Sequence, residues 1–308
     1  MKPLRIGTRG SALALWQANH INARLAEIHG IQSELIRIRT SGDHFQTAVV
    51  AQMGTKGVFI KELEDALLAG EVDLAVHSMK DVPTETPRGL VFPAITRRED
   101  VRDCLISHDG LTLEKLPAGA RVGTSSLRRQ AQIRLLRADL LLAELRGNVD
   151  TRIKKVEAGE YGAIILAKAG VDRLGLSEKI TEVLPTSLML PAVGQGALGI
   201  ETRAADRETT DFVAALDDED TRFCVTAERA LLSELEGGCQ VPLGAWARLG
   251  AGGLLLEAIV LSPDGQVHLR RELDGAPEEA EAIGRQLGQI LLEAGAGKIL
   301  RLAGRASG

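Results

Sequence analysis

Three sets of side chains in this sequence have the types and spacing to do chemistry. The first is a single thiol. Cys239 stands in Glu236-Gly237-Gly238-Cys239-Gln240-Val241-Pro242, where two glycines open backbone conformations closed to other residues and Pro242 limits the exit. Residues 224–235 before it read as an amphipathic helix turning Val225, Ala227, Leu231, Leu232 and Leu235 toward a core, and Gly237 falls where such a helix is capped. Two readings stand for Cys239: a thiol presented at a loop tip for covalent attachment, or a small hydrophobe packed under a helix end.

The second set is cationic. Gly123-Thr124-Ser125-Ser126-Leu127-Arg128-Arg129 follows a strand-like stretch and opens a helix. A helix start offers unpaired amides and a positive dipole end to an anion. Thr124 and Ser126 add hydroxyl donors, and paired guanidiniums grip carboxylates bidentately. The alternative is an ordinary helix cap with both arginines facing water. Arg9 in Thr8-Arg9-Gly10-Ser11, and Arg146 in Leu145-Arg146-Gly147-Asn148 ahead of a helix carrying Arg152, also sit just past strands. Open parallel sheets bind ligands at that end. Arg9, Arg128, Arg129 and Arg146 in a chain of net charge −5 point to a local site for a small molecule with several carboxylates.

The third set is Val76-His77-Ser78-Met79-Lys80-Asp81-Val82-Pro83, again past a buried strand. In a cleft, Asp81 stabilises a cationic intermediate and moves protons. On an open surface, Asp81 beside Lys80 is an ion pair worth little. His77 reads as a structural residue rather than a base.

The elements that must position these groups alternate. Residues 4–7, 31–39, 72–76 and 90–95 read as strands, and 12–28 and 59–68 as helices, a βαβ rhythm that implies a mostly parallel sheet. A charged connector, residues 97–103, leads to a second αβ run. Its strands lie near 104–107, 122–124, 140–145 and 163–166, and its helices near 126–136, 149–158 and 168–174. Pro191-Ala192-Val193-Gly194-Gln195-Gly196-Ala197-Leu198-Gly199 reads as a hinge or crossing between lobes, with a surface loop as the alternative. Beyond it, residues 254–261 and 267–273 flank the turn Ser262-Pro263-Asp264-Gly265, a hairpin signal, and a helix spans 278–293. The small residues of 303–308 read as a frayed tail.

Composition narrows the function. A chain of 308 residues, 44% hydrophobic and 26% charged, is an ordinary soluble globular protein of two or three domains. Aromatics at 3% argue against stacking on nucleic-acid bases, and the acidic balance against polyanion binding by the whole surface. No apolar run is long enough for a membrane span. The three cysteines, Cys104, Cys224 and Cys239, are far apart and lack metal-ligand spacing, so neither a metal site nor a disulfide framework is expected. The amino terminus, Met1-Lys2-Pro3-Leu4-Arg5, enters a strand-like segment without an apolar signal region, and the expected location is cytoplasmic.

Taken in order over nearly the whole chain, the segments around Arg9, His77–Pro83, Gly123–Arg129, Arg146, Pro191–Gly199 and Cys239 make the sequence similar to the porphobilinogen deaminase (hydroxymethylbilane synthase) family. The resemblance implies an α/β fold: two doubly wound, periplasmic-binding-protein-like lobes with the active cleft between them, plus a small C-terminal α+β domain with an antiparallel sheet. Domain 1 would take residues 1–97 and 197–216, domain 2 residues 101–192, and domain 3 residues 219–308. It implies a transferase of tetrapyrrole (heme) biosynthesis that condenses four porphobilinogen molecules head to tail with loss of ammonia, then hydrolytically frees hydroxymethylbilane. The growing chain would be primed by a dipyrromethane cofactor held by a thioether to Cys239. Asp81 would be catalytic. Arg9, Ser11, Ser78, Lys80, Thr124, Ser126, Arg128, Arg129, Arg146, Gly147, Arg152 and Gln195 would bind the cofactor and substrate carboxylates. The implied protein is a monomer with no nucleic-acid, membrane or metal partner. One departure stands out: relatives commonly carry lysine where this chain has Gln52, four residues before Lys56, and frequently glycine at Thr55, in a loop over the cleft. The competing class is a non-catalytic two-lobe protein that binds small anions, which leaves the Gly-Gly-Cys loop unexplained.

Overall fold

The chain folds as short apolar strands alternating with helices, and the computed structural model describes residues 3–38, 60–235 and 241–306. Two compact units divide it, residues 1–99 with 196–222 and residues 100–195 with 223–308.

In the first unit, β1 (Leu4–Thr8), α1 (Ala12–His29), β2 (Ser33–Arg37), α2 (Lys61–Leu68), β3 (Leu74–Ser78) and β4 (Leu90–Ile95) are joined by a late strand, β10 (Leu198–Arg203), and by α6 (Arg207–Ala214). The sheet order is β2-β1-β3-β10-β4. β1 runs parallel to β2 and β3, whereas β10 is antiparallel to both its neighbours. Strand side chains alternate between faces. Leu74 and Val76 therefore pack with Ile21 and Leu25 of α1, while Ala75 packs with Leu63 and Leu67 of α2.

The second unit repeats this plan. β5 (Asp103–Ser107), β6 (Arg121–Gly123), α3 (Leu127–Leu136), β7 (Leu141–Ala143), α4 (Val149–Glu157), β8 (Ala163–Ala167), α5 (Lys168–Arg173) and β9 (Glu182–Val183) form a sheet of order β7-β6-β8-β5-β9. Here β6 is parallel to β7 and β8, and β5 is antiparallel to β8 and β9. Ile133 of α3 covers one face, and Ile153 and Val156 of α4 cover the other. Each sheet is thus doubly wound, with three parallel strands and an antiparallel fourth strand, which in the first unit comes from a distant part of the chain. The expected mostly parallel sheets are mixed. The sequence pattern predicts no strand over β10, because its polar Glu201 and Thr202, both fully buried, break the apolar period.

The remainder of the second unit is a three-stranded antiparallel sheet, β11 (Leu243–Gly250), β12 (Gly253–Leu261) and β13 (His268–Gly275). It packs on α7 (Glu219–Glu234), α8 (Ala280–Glu293) and α9 (Ala296–Ala306) through Leu231, Leu256, Leu287 and Ile299. The tail expected to fray is helical through Ala306. Repeated apolar positions, Ile299 among them, give it a face to bury, which outweighs the small residues at its end.

α7 leads toward the Cys239 loop, and its placement depends on a close helix crossing. A side-chain carbon added at Gly284 of α8 would lie 2.2 Å from the Ala227 carbonyl oxygen and 2.7 Å from Ala230 Cβ. Overpacking of this kind costs about 1–3 kcal/mol. Gly284→Ala is expected to lower the urea midpoint accordingly, and an unchanged midpoint would show that the two helices have room to separate.

Candidate functional site

In the first unit, the residues of the Thr8–Ser11 and His77–Asp81 segments meet at the carboxyl ends of β1 and β3. Ser11 caps α1, its hydroxyl accepting from the Ala14 amide at 3.2 Å. A 3₁₀ turn, Met79–Asp81, follows β3 directly and carries Asp81 into solvent. Arg9, Ser11, Ser78 and Asp81 line one small pocket of about 80 Å³, together with Gln17, Leu63 and His77. Gln17 was not anticipated. It lies in the buried row of α1, and its Nε2 donates to Ser78 Oγ at 2.9 Å, fixing that hydroxyl. A polar residue inside a helix's apolar stripe is the signal that finds it. Lys80 sits half-buried in the same turn. His77 is buried and bonded to Glu201 at 3.0 Å, in keeping with a structural role.

In the second unit, the expected cationic residues form two groups at the carboxyl ends of adjacent parallel strands. Ser126 caps α3, accepting from the Arg129 amide, and Thr124 Oγ1 accepts from the Ser126 amide. Ser125 ties this turn to the next strand's exit: its hydroxyl donates to the Leu145 carbonyl at 2.9 Å and accepts from the Leu145 amide at 3.0 Å. That clamp brings Gly123–Arg129 beside Arg146 and Gly147. Arg146 is exposed and paired with Glu144, while Arg152 Nε donates to the Gly147 carbonyl.

Arg128 and Arg129 do not face water as the side chains of an ordinary helix cap would. They are 4% and 7% exposed, neither facing water nor open to a ligand over their whole fork. Both grip Asp103, each at 2.8 Å and each through a different carboxylate oxygen. Gln195 Nε2 also donates to Asp103, at 2.9 Å, and to the Val101 carbonyl at 2.8 Å. Arg128 spends a further N–H on the Leu190 carbonyl, and Arg129 one on Ile165. Burial alone would raise the Asp103 carboxyl, but the charges of Arg128 and Arg129 outweigh it and hold the group well below the usual carboxylate range. The cluster keeps one net positive charge, and among the described residues the Nε atoms of Arg128 and Arg129 have no acceptor. In the sequence Asp103 closes the charged connector of residues 97–103. Its place at the head of the buried strand β5 is what distinguishes it.

Of the thiols, Cys239 and its loop lie outside the described residues, as do Gln52, Thr55 and Lys56. The helix before the loop is held by Glu228, fully buried, whose two oxygens accept from the amides of Gly194 at 2.7 Å and Ala247 at 2.8 Å. Cys104 and Cys224 are buried and unbridged. Burial, with the Asp103 charge beside it, pushes the Cys104 thiol up to about 12.

Two doubly wound α/β lobes of one sheet plan, each with cationic and hydroxyl groups at its strand ends, define the class of this protein. The family model for "Porphobilinogen deaminase, dipyromethane cofactor binding domain" matches residues 4–211, and that for the "Porphobilinogen deaminase, C-terminal domain" matches residues 222–293. The chain belongs to the porphobilinogen deaminase family. It is 51% identical over 303 residues to a porphobilinogen deaminase of Chlorobaculum parvum and 50% identical to that of Chlorobaculum tepidum, covering 97% of this chain and of each relative. Among solved structures, a periplasmic substrate-binding protein of an ABC transporter from Coxiella burnetii matches 69% of this chain and 91% of its own at 14% identity, with a TM-score of 0.42.

Removing the central carboxylate tests the cluster. Asp103→Asn leaves two buried guanidiniums without their counter-charge, and breaking a buried pair in this way costs about 3–5 kcal/mol. Because the folded carboxyl titrates below its ordinary value of 3.8, its contribution is complete above that pH and is lost as pH falls through the folded value. The wild-type and variant unfolding energies should differ by a constant amount from pH 8 to 5 and converge in stronger acid. A gap that persists unchanged into strong acid would separate Asp103 from the pairing.

Proposed function

We propose that this chain condenses four porphobilinogen molecules head to tail, releasing ammonia at each step and finally hydroxymethylbilane, on a dipyrromethane primer bonded to Cys239. The observation that carries the proposal is Asp81 at the rim of a pocket shared with Arg9, Ser11 and Ser78, in a chain of this family. The proposed division is a catalytic lobe (1–97 and 197–216), an arginine-rich lobe (101–192) and an anchoring domain (219–308).

The donor set suits the cofactor. A dipyrromethane brings an acetate and a propionate on each ring, and the cluster of Arg128, Arg129 and Asp103 has a residual positive charge. Arg128, Arg129, Thr124 and Ser126, with Arg146, Gly147 and Arg152 on the neighbouring strand exit, would hold those carboxylates, and Gln195 would act through Asp103. When bound, the cofactor supplies a pyrrole with a free α-carbon as the nucleophile. Asp81 meets the substrate. As its aminomethyl carbon–nitrogen bond breaks and ammonia leaves, positive charge spreads onto the pyrrole nitrogen, and a fixed carboxylate stabilises that charge. The same carboxylate accepts the pyrrole N–H bond and orients the ring. Arg9, Ser11, Ser78 and Lys80 receive the incoming acetate and propionate.

Cys239 is the anchor in this proposal because a thioether survives every cycle. We further assign the chain to the cytoplasm as a monomer, a location that suits its free thiols. Two measurements test the proposal. Intact-protein mass should exceed the sequence mass by one dipyrromethane unit, and Cys239→Ala should abolish the excess together with turnover. Asp81→Ala should keep the added mass while kcat falls about 10²–10⁴-fold. An active wild-type chain of unmodified mass would remove the cofactor assignment, and near-normal kcat in Asp81→Ala would remove Asp81 from catalysis.

A further inference from the structure

Behind the pocket that holds Asp81 lies a second ionisable pair that the proposed reaction leaves without a task. His77 Nε2 and Glu201 Oε2 are 3.0 Å apart, with their side chains 3% and 0% exposed. Among the described residues the other Glu201 oxygen, Oε1, is buried with no hydrogen-bond partner. The ring edge of His77 rests against Phe92. The charge of Glu201 reaches further: burial first, and then Glu201, raises the carboxyl of Glu64 on α2.

For stability alone this is a poor arrangement. Two ionisable groups lose their hydration, and one carboxylate oxygen has nothing to replace it. An apolar pair of similar volume would hold the two strands as well or better. What the pair does have is position. β10 lies antiparallel to β3, with Gly199 opposite His77 and Leu198 opposite Ser78. The 3₁₀ turn bearing Asp81 begins on β10: the Met79 amide donates to the Ala197 carbonyl at 3.0 Å. Met79 also lies so close over Gly199 that an added side-chain carbon there would be 2.3 Å from its Sδ. Ala197, Gly199 and Glu201 therefore meet the end of β3 and its turn at three points, and the His77–Glu201 bond is the one made between two side chains.

We infer that Glu201, through His77, is a positioning residue for Asp81: it locks β3 against β10 so that the Met79–Asp81 turn keeps its carboxylate in one place. The inference rests on the proposed role of Asp81. An ion-assisted bond between side chains defines the strand register sharply, where an apolar contact would let the turn shift. Displacement by about 1 Å is enough to cost up to 10²-fold in rate.

The decisive variant replaces both partners, His77→Phe with Glu201→Leu, so that no buried group is left unpaired. The expected result is a melting temperature near that of the wild type, an unchanged dipyrromethane mass, a kcat lower by about tenfold or more, and a KM within about twofold. Glu201→Gln keeps the shape and a weaker neutral bond, and its kcat should fall between the two. A double variant with kcat within about twofold of wild type, or a Glu201→Gln enzyme at full wild-type kcat, overturns the inference and makes the pair purely structural. Should the double variant not fold, the Glu201→Gln measurement decides alone. A wild-type chain without turnover would instead overturn the proposed function, and the inference with it.

Discussion

The arginine-bearing side of this protein depends on one carboxylate that no water reaches. Asp103 pairs with Arg128 through one oxygen and with Arg129 through the other, and Gln195 donates to the oxygen that Arg129 holds. Burying three charges costs several kcal/mol per ion and is tolerated only where each is met in good geometry. The outcome is a pair of guanidinium planes held fixed, with little side-chain entropy left for the proposed carboxylate contacts to cost. The same cluster draws in the rest of the unit. Arg128 and Gln132 both bond the Leu190 carbonyl at the start of the Pro191–Gly199 segment, and Arg129 bonds the strand β8.

Both doubly wound sheets solve the same placement problem in the same way. Each has a parallel trio whose carboxyl ends present polar groups, and each inserts an antiparallel fourth strand against the trio's edge. In the second unit that strand, β5, delivers Asp103. In the first, β10 brings Gly199 against Met79 of the turn carrying Asp81 and Glu201 against His77 just before it. The groups supporting each site therefore lie on a different element from the groups they support.

That separation explains what sequence could and could not reveal. The alternation of β1, α1, β3 and of β6, α3, β8 is local, set by the period of apolar residues, and it was legible. So were the strand-end motifs around Arg9, Asp81 and Arg128, because a glycine or hydroxyl next to a charge just past a strand is itself a local signal. The supporting residues were not legible. Asp103 looks like one more acid in a run of charges, and Glu201 sits in a strand whose buried polar residues hide its period. The pairing of Arg128 and Arg129 with Asp103 was not legible for the same reason, since that partner lies in another element. α9 was missed because small residues mask its apolar face.

The chemistry assigned to this chain carries a hazard that the buried Cys104 addresses. An enzyme that generates an electrophile beside its own polypeptide exposes every thiolate it owns to alkylation. With its thiol pushed up to about 12, Cys104 is ionised in only about one molecule in 10⁵ near neutral pH, and it has no path to solvent. Although it adjoins the arginine cluster in sequence, it is chemically silent. Selectivity for a single anchoring thiol is thus written partly in what the fold keeps protonated, as a form of self-protection.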